Sequence, residues 1–312
     1  LSGGGGLTVN SPGVTTFSSA ISGLNSLLTD AAGSTVLGGG ALGVSGSFRF
    51  NDPVTLAAAT VITGPTGRFN STLNGAQALT VNLTGDAIFI GPVGGTQPLS
   101  SITTNATGAM RFHGGIVATT GNQVYSDPVL LGVNTVFTAL NLTFNNVLNT
   151  ENALTSNSPL AGAIEFSAAS TGQSDLTANV SEATIFNAPV GQGTESQRLG
   201  DVITNAAGTT ALNANFFATS ANFGDTVTIG GATPTINTLG TQLYQSTVTL
   251  ATNPTFVVET SLNSPTAGIR FAQDVLGPNQ ILTVDARTST VTFENSIGST
   301  ANRLTSVSIT GR

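Results

Sequence analysis

The sequence predicts an all-β chain wound as a β-solenoid, a stack of parallel coils. Three observations predict it: sequence blocks recur in a fixed order, the segments between turns alternate apolar with small polar residues, and the composition supplies a core without sulfur or many ions. The 312 residues are 39% hydrophobic and only 7% charged, with 38 Gly, no Cys and no Trp. All eight basic residues are Arg, and 15 acidic residues leave a net charge of −7. Soluble domains average about one quarter charged residues, so Ser, Thr, Asn and Gln must carry the solubility here. A chain this rich in Val, Ile, Leu and Phe can bury a core, which argues against disorder.

The first block is Leu-Thr-(Val/Ala)-(Asn/Asp), beginning at Leu7, Leu79, Leu176 and Leu282. Each copy is followed ten or eleven residues later by a Phe: Phe17, Phe89, Phe186 and Phe293. A small Gly-containing loop comes next, and then a Leu (Leu24, Leu99, Leu199, Leu304) opens a Thr-rich strand. In the first three copies that strand ends at Gly33, Gly108 and Gly208. A second block places an aromatic four residues before a Val, at Phe50, Tyr125, Phe223 and Tyr244. A third runs from a Phe to the next Leu anchor: Phe69 to Leu79, Phe166 to Leu176, and Phe271 to Leu282.

The Leu anchors recur at unequal intervals. Phe anchors within a unit recur roughly every 20 to 22 residues (Phe69 to Phe89, Phe166 to Phe186, Phe271 to Phe293), within the period of about 20 to 25 that one solenoid coil needs. Solenoids tolerate insertion of whole coils because each coil touches only its neighbours. The expected organisation is one solenoid over 1–312, in degenerate units starting near 7, 79, 176 and 282. At roughly 22 residues per coil it would hold about 14 coils, on the order of 65 to 70 Å of stacked strands.

Strand rather than helix follows from the local pattern. Segments 79–90, 225–231, 246–252 and 289–295 alternate apolar with Thr or other small polar residues, the period of a half-buried strand. Val, Ile, Thr and Phe suit a pleated surface, and Gly, Pro, Asn and Asp cluster between the segments as turn residues. The one helix-like stretch, Phe17 to Leu28, reads as a strand pair by alignment with the other units. The recurring anchors Leu7, Phe17, Phe69, Leu79, Phe89, Phe166, Leu176, Phe186, Phe271, Leu282 and Phe293 are expected to line an interior column.

These blocks resemble the repeats of large secreted filamentous-haemagglutinin-like adhesins of bacteria, of the two-partner-secretion or autotransporter-passenger type. The fullest copy runs from Phe69 through FNSTLNGAQALTVN, GPVGGTQPLSSITTNATG and ATTGNQVYSDPVLLG. Copies three and four are degenerate: SANFGDTV (220–227) stands where the pattern expects Gly-x-Gln-x-Tyr. The resemblance implies a right-handed parallel β-helix, export to the cell surface and an adhesive or scaffolding role. Its repeat is structural and carries no catalytic residue.

Candidate chemistry is sparse. Absent Cys excludes thiolate metal sites, disulfides and thiol catalysis, and His113, the one histidine, is expected to be exposed. Eight scattered Arg in an acidic chain cannot make the basic stripe nucleic acid needs, and no apolar run reaches the length of a membrane-spanning helix. Asp52, Asp127 and Asp225 are equivalent residues ahead of Val strands, and read as turn residues that bond their own backbone. Asp274 with Asp285, and Asp175 with Glu182, have no convergent partner of the kind glycoside hydrolysis requires. No cofactor is expected; calcium would be held weakly by isolated carboxylates and backbone carbonyls, with no residue to name.

The sequence starts just before a Leu anchor and stops inside the fourth unit, without an evident polar cap. A secretion signal is expected to have been removed or to lie outside this sequence. The sequence therefore predicts a non-enzymatic extracellular structural protein: a subunit stacking head to tail with itself into a surface fibre, or the rod of a surface adhesin, with a host or neighbouring cell surface or glycan as further partner. The alternative is a carbohydrate-binding or polysaccharide-cleaving β-helix, disfavoured by only two Tyr and no Trp for stacking on sugars.

Overall fold

A computed structural model describes residues 4–157, 162–259 and 267–311. It is a β-solenoid of about 14 turns with parallel sheets and almost no helix. The helical turn among the described residues is the three-residue 3-10 segment Glu195–Gln197. The chain forms two compact units, Leu1–Glu151 and Asn152–Arg312.

In the first unit each full coil contributes one short strand to each of three sides. The first side carries Gly6–Val9, Ser26–Thr29, Ser47–Phe50, Thr66–Phe69, Asp86–Phe89, Ala109–Phe112, Val129–Leu131 and Leu148–Asn149. The second begins with Val14–Phe17, Ser34–Leu37, Val54–Leu56 and Leu73–Asn74, and continues through a bridge at Val93 to Ile116–Ala118 and Thr135–Thr138. The third runs from Ile21–Leu24 to Leu142–Phe144. Segment 17–28 thus holds strands, as its alignment with the other units predicts.

The second unit repeats the three-strand coil. Ile164–Phe166, Ala183–Phe186, Thr209–Leu212, Thr226–Ile229, Val248–Leu250 and Val275–Leu276 stack on one side. A long strand, Phe216–Phe223, serves two sides: Phe216 to Ala218 pair with Ile236 to Thr238, and Ala221 to Phe223 with Gln242 to Tyr244. Coil length varies. Phe50 pairs with Phe69, whereas Thr255 pairs with the more distant Thr283, so the later coil is the longer.

Aromatic ladders fill the interior, because parallel stacking sets like positions one above another. On the first side Phe50, Phe69, Phe89 and Phe112 stack with centroids 5.0 to 5.4 Å apart. In the second unit Phe166 lies 4.9 Å from Phe186, and Phe223, Tyr244, Phe271 and Phe293 form a separate ladder at 4.9 to 5.3 Å. Each such pair contributes about 0.5–1.5 kcal/mol beyond its area burial.

Nine of the eleven anchors are buried, but they do not share one column. Among them Leu7 and Phe293 are only half-buried. The Leu anchors also drift between sides. Following register from Leu7 through Leu27, Phe48 and Gly67 leads to Ala87, whereas Leu79 precedes it on the third side. From Leu176 the same path through Val202, Ala221, Gln242 and Ile269 reaches Val291, which lies one strand beyond Leu282. Both intervals, Leu7 to Leu79 and Leu176 to Leu282, fall one strand short of a whole number of coils. A repeated motif therefore arrives on a neighbouring side.

Candidate functional site

Buried polar groups gather at several corners of the coils. Gly33 and Gly208 turn theirs at φ +79° and +88°, a conformation that favours glycine. Asp52, Asp127 and Asp225 are 3%, 2% and 1% exposed. Their partners lie largely in the preceding coil, which corrects the expectation of turn residues bonding mainly their own backbone. Thr29 and Thr35 donate to the Asp52 carboxylate at 2.5 and 2.7 Å. Thr204 and Thr210 donate to that of Asp225 at 2.7 and 2.8 Å, and the Gly108 amide to that of Asp127 at 2.8 Å. The carboxylates of Asp52 and Asp225 thus satisfy buried Thr hydroxyls, and that of Asp127 a backbone amide at its corner. Burial raises the pKa of Asp127 and Asp225; the hydrogen bonds offset this only in part.

A second buried set is Gln123 with Tyr125, and Gln242 with Tyr244. Each Tyr hydroxyl donates to its Gln Oε1, at 2.9 and 3.0 Å. The Gln amides then donate to carbonyls on both flanks: Gln123 to Val117 and Thr138 at 3.3 and 3.0 Å, Gln242 to Ile236 and Val257 at 3.1 and 2.7 Å. Burial pushes both phenols well up. The Gly-x-Gln-x-Tyr element expected at SANFGDTV in copy three is thus present at Gly240–Tyr244, one coil later.

Arg198 forms a third set. It is 1% exposed and reaches across coils to the Asn237 carbonyl (3.2 Å), Asn237 Oδ1 (3.0 Å) and the Glu259 carboxylate (3.0 Å), with its guanidinium 5.6 Å from the Phe217 ring centroid. Burial lowers its pKa, and Glu259 and Glu195 oppose that shift. None of these three sets resembles a catalytic pair. The carboxylates singled out from sequence are dispersed: Asp274 accepts from the Ser296 amide and Asp175 from the Asp201 amide. Among the described residues no three His, Cys, Asp or Glu side chains gather where they could hold a metal ion. His113 is exposed.

The surface feature that the sequence reading missed is on the first side of the first unit. Arg49 and Arg68 are direct register partners, and Arg111 lies two coils further in the same column, past Ile88. Arg49 Nε donates to Asn51 at 2.9 Å and Arg68 Nε to Asn70 at 2.5 Å, while Asn70 Nδ2 donates to Asn51 Oδ1 at 2.5 Å. Arg111 is taken by Asp86 at 2.6 Å. The signal was present as Arg-Phe-Asn recurring at 49–51 and 68–70; it becomes a pair only once the length of that coil is known.

No family model matches this chain, and neither a curated protein nor a solved structure matches it.

Proposed function

We propose that this chain is an extracellular structural protein that associates with itself coil on coil, as a surface fibre or as the rod of a surface adhesin. The observation that carries the reading is the register. Within each unit the described coils pair through parallel ladders of amides and carbonyls, so a coil edge of one copy is complementary to a coil edge of another, the geometry of a head-to-tail assembly. Few charges and no Lys stand against such pairing, and Lys is a usual blocker of strand edges. The buried polar groups point the same way, because the Asp corners, the Gln–Tyr pairs and Arg198 are all engaged in joining coils. Placement outside the cell rests on the resemblance of the repeats to secreted adhesins.

Sedimentation velocity over a range of protein concentrations tests it. A weight-average coefficient that climbs with concentration in a head-to-tail series is the expected result; one monomeric boundary at every concentration would overturn the proposal.

A further inference from the structure

We propose that the first side of the first unit is a binding face for a linear carboxylated polysaccharide, with Arg49 and Arg68 as the residues that take its carboxylates.

The placement of these two Arg carries a cost. In a chain with eight basic residues, two occupy directly paired positions on adjacent strands, about 4.8 Å apart along the stack. Like charges so placed repel, and Thr or Asn, abundant elsewhere on the surface, would avoid the repulsion. Among the described residues neither Arg makes an ion pair, and Asp86, the carboxylate that lines the same groove, is paired with Arg111. The pair is nonetheless held in place. Each Nε is fixed by the Asn two residues on, and the two Asn are bonded to each other. Among the described residues the terminal Nη atoms of Arg49 and Arg68 have no hydrogen-bond partner. Two pre-oriented guanidinium forks therefore point outward with their donors unused, the arrangement that suits bidentate carboxylate recognition.

The surroundings specify the polymer. Ser47 and Thr66 pair in the flanking column on one side and Asn51 with Asn70 on the other, so hydroxyl and amide groups border the charges as sugar hydroxyls require. Ile88, half-buried in the Arg column, offers an apolar contact. The spacing of successive coils is comparable to the length of one pyranose residue, so consecutive carboxylated sugars can meet consecutive Arg. Nucleic acid fits poorly, since two free cations neutralise few phosphates and, among the described residues, no aromatic ring is exposed on this side for base stacking.

The inference stands apart from self-association, because a monomer can bind and a fibre can fail to bind. Affinity electrophoresis of the full chain through gels containing polygalacturonate reads it. A chain of net charge −7 is repelled by a polyanion overall, so retardation requires a local cationic face. The expected result is retardation of the wild type, at least a tenfold weaker apparent Kd for Arg49→Gln/Arg68→Gln, and no change for Arg270→Gln, which alters an exposed Arg in the other unit. The double variant Arg49→Lys/Arg68→Lys keeps charge but loses the forks, and is expected to fall between the two. Circular dichroism and urea midpoints equal to wild type establish that the variants fold. The proposal is overturned by absent retardation, by a Gln double variant that binds like wild type, by equal binding to methyl-esterified polygalacturonate, or by equal or tighter binding to dextran sulfate, which would mark a charge-only attraction.

Discussion

The buried Gln242–Tyr244 pair gives a quantitative test of how the coils are locked. Both side chains are 0% exposed, and the 3.0 Å bond from the phenol is the one that satisfies Gln242 Oε1. Tyr244→Phe keeps the ring in its ladder between Phe223 and Phe271 and leaves that oxygen buried without a donor. An unsatisfied buried acceptor costs about 1–3 kcal/mol. Gln242→Leu strands the phenol instead and takes a donor from the carbonyls of Ile236 and Val257, a loss of about the same size or more. The double variant removes both ends of the bond, which is nearly neutral for that pair. It should therefore be less destabilised than the two single changes together, by about 1–3 kcal/mol. Equilibrium urea unfolding of the four proteins, followed by circular dichroism, supplies the cycle. Additivity within about 0.5 kcal/mol, or a neutral Tyr244→Phe, would refute the reasoning.

Two further outcomes follow from single residues. Burial raises the pKa of Asp127 and Asp225 in the folded chain, so the native state binds their protons more readily than the unfolded one. Their stabilising effect is complete below the ordinary Asp value of about 3.9 and is lost as pH rises through the raised values. Relative to the Asp127→Asn/Asp225→Asn variant, the wild-type urea midpoint should therefore improve as pH falls from neutral; a difference that does not change with pH, or changes the opposite way, would contradict this. Gly67 sits where a Cβ would lie 2.0 Å from the Phe48 ring, so Gly67→Ala should cost about 1–3 kcal/mol by overpacking. Adding Phe48→Leu should recover part of it in the same unfolding assay, and a neutral Gly67→Ala would remove the argument.

Much of the fold is legible in the sequence, since a solenoid repeats its physics every coil. Alternation locates the strands, and the interval between Phe69 and Phe89 is a true coil, with the two rings 5.0 Å apart. The side on which each repeat falls is not legible. It depends on coil lengths that differ along the chain, short from Phe50 to Phe69 and long from Thr255 to Thr283, a difference that leaves the alternation of the strands unchanged. The same uncertainty hides long-range polar contacts. Arg198 meets Asn237 and Glu259 from 39 and 61 residues away, and Asp225 meets Thr204 in the preceding coil. Arg49 and Arg68 look like isolated surface residues until their register is known. A buried Asp and a solvated turn Asp also share one sequence signature, Asp before a Val strand.

Self-association is the central claim, and electron microscopy of the purified chain at neutral pH tests it most directly. Coil-on-coil association predicts unbranched threads one solenoid wide that lengthen with protein concentration. It also predicts their loss in Val307→Lys/Ile309→Lys, which puts charge at positions in register with the buried Leu282 and Val284. Dispersed single particles at every concentration, or threads unaffected by that charged pair, would contradict it.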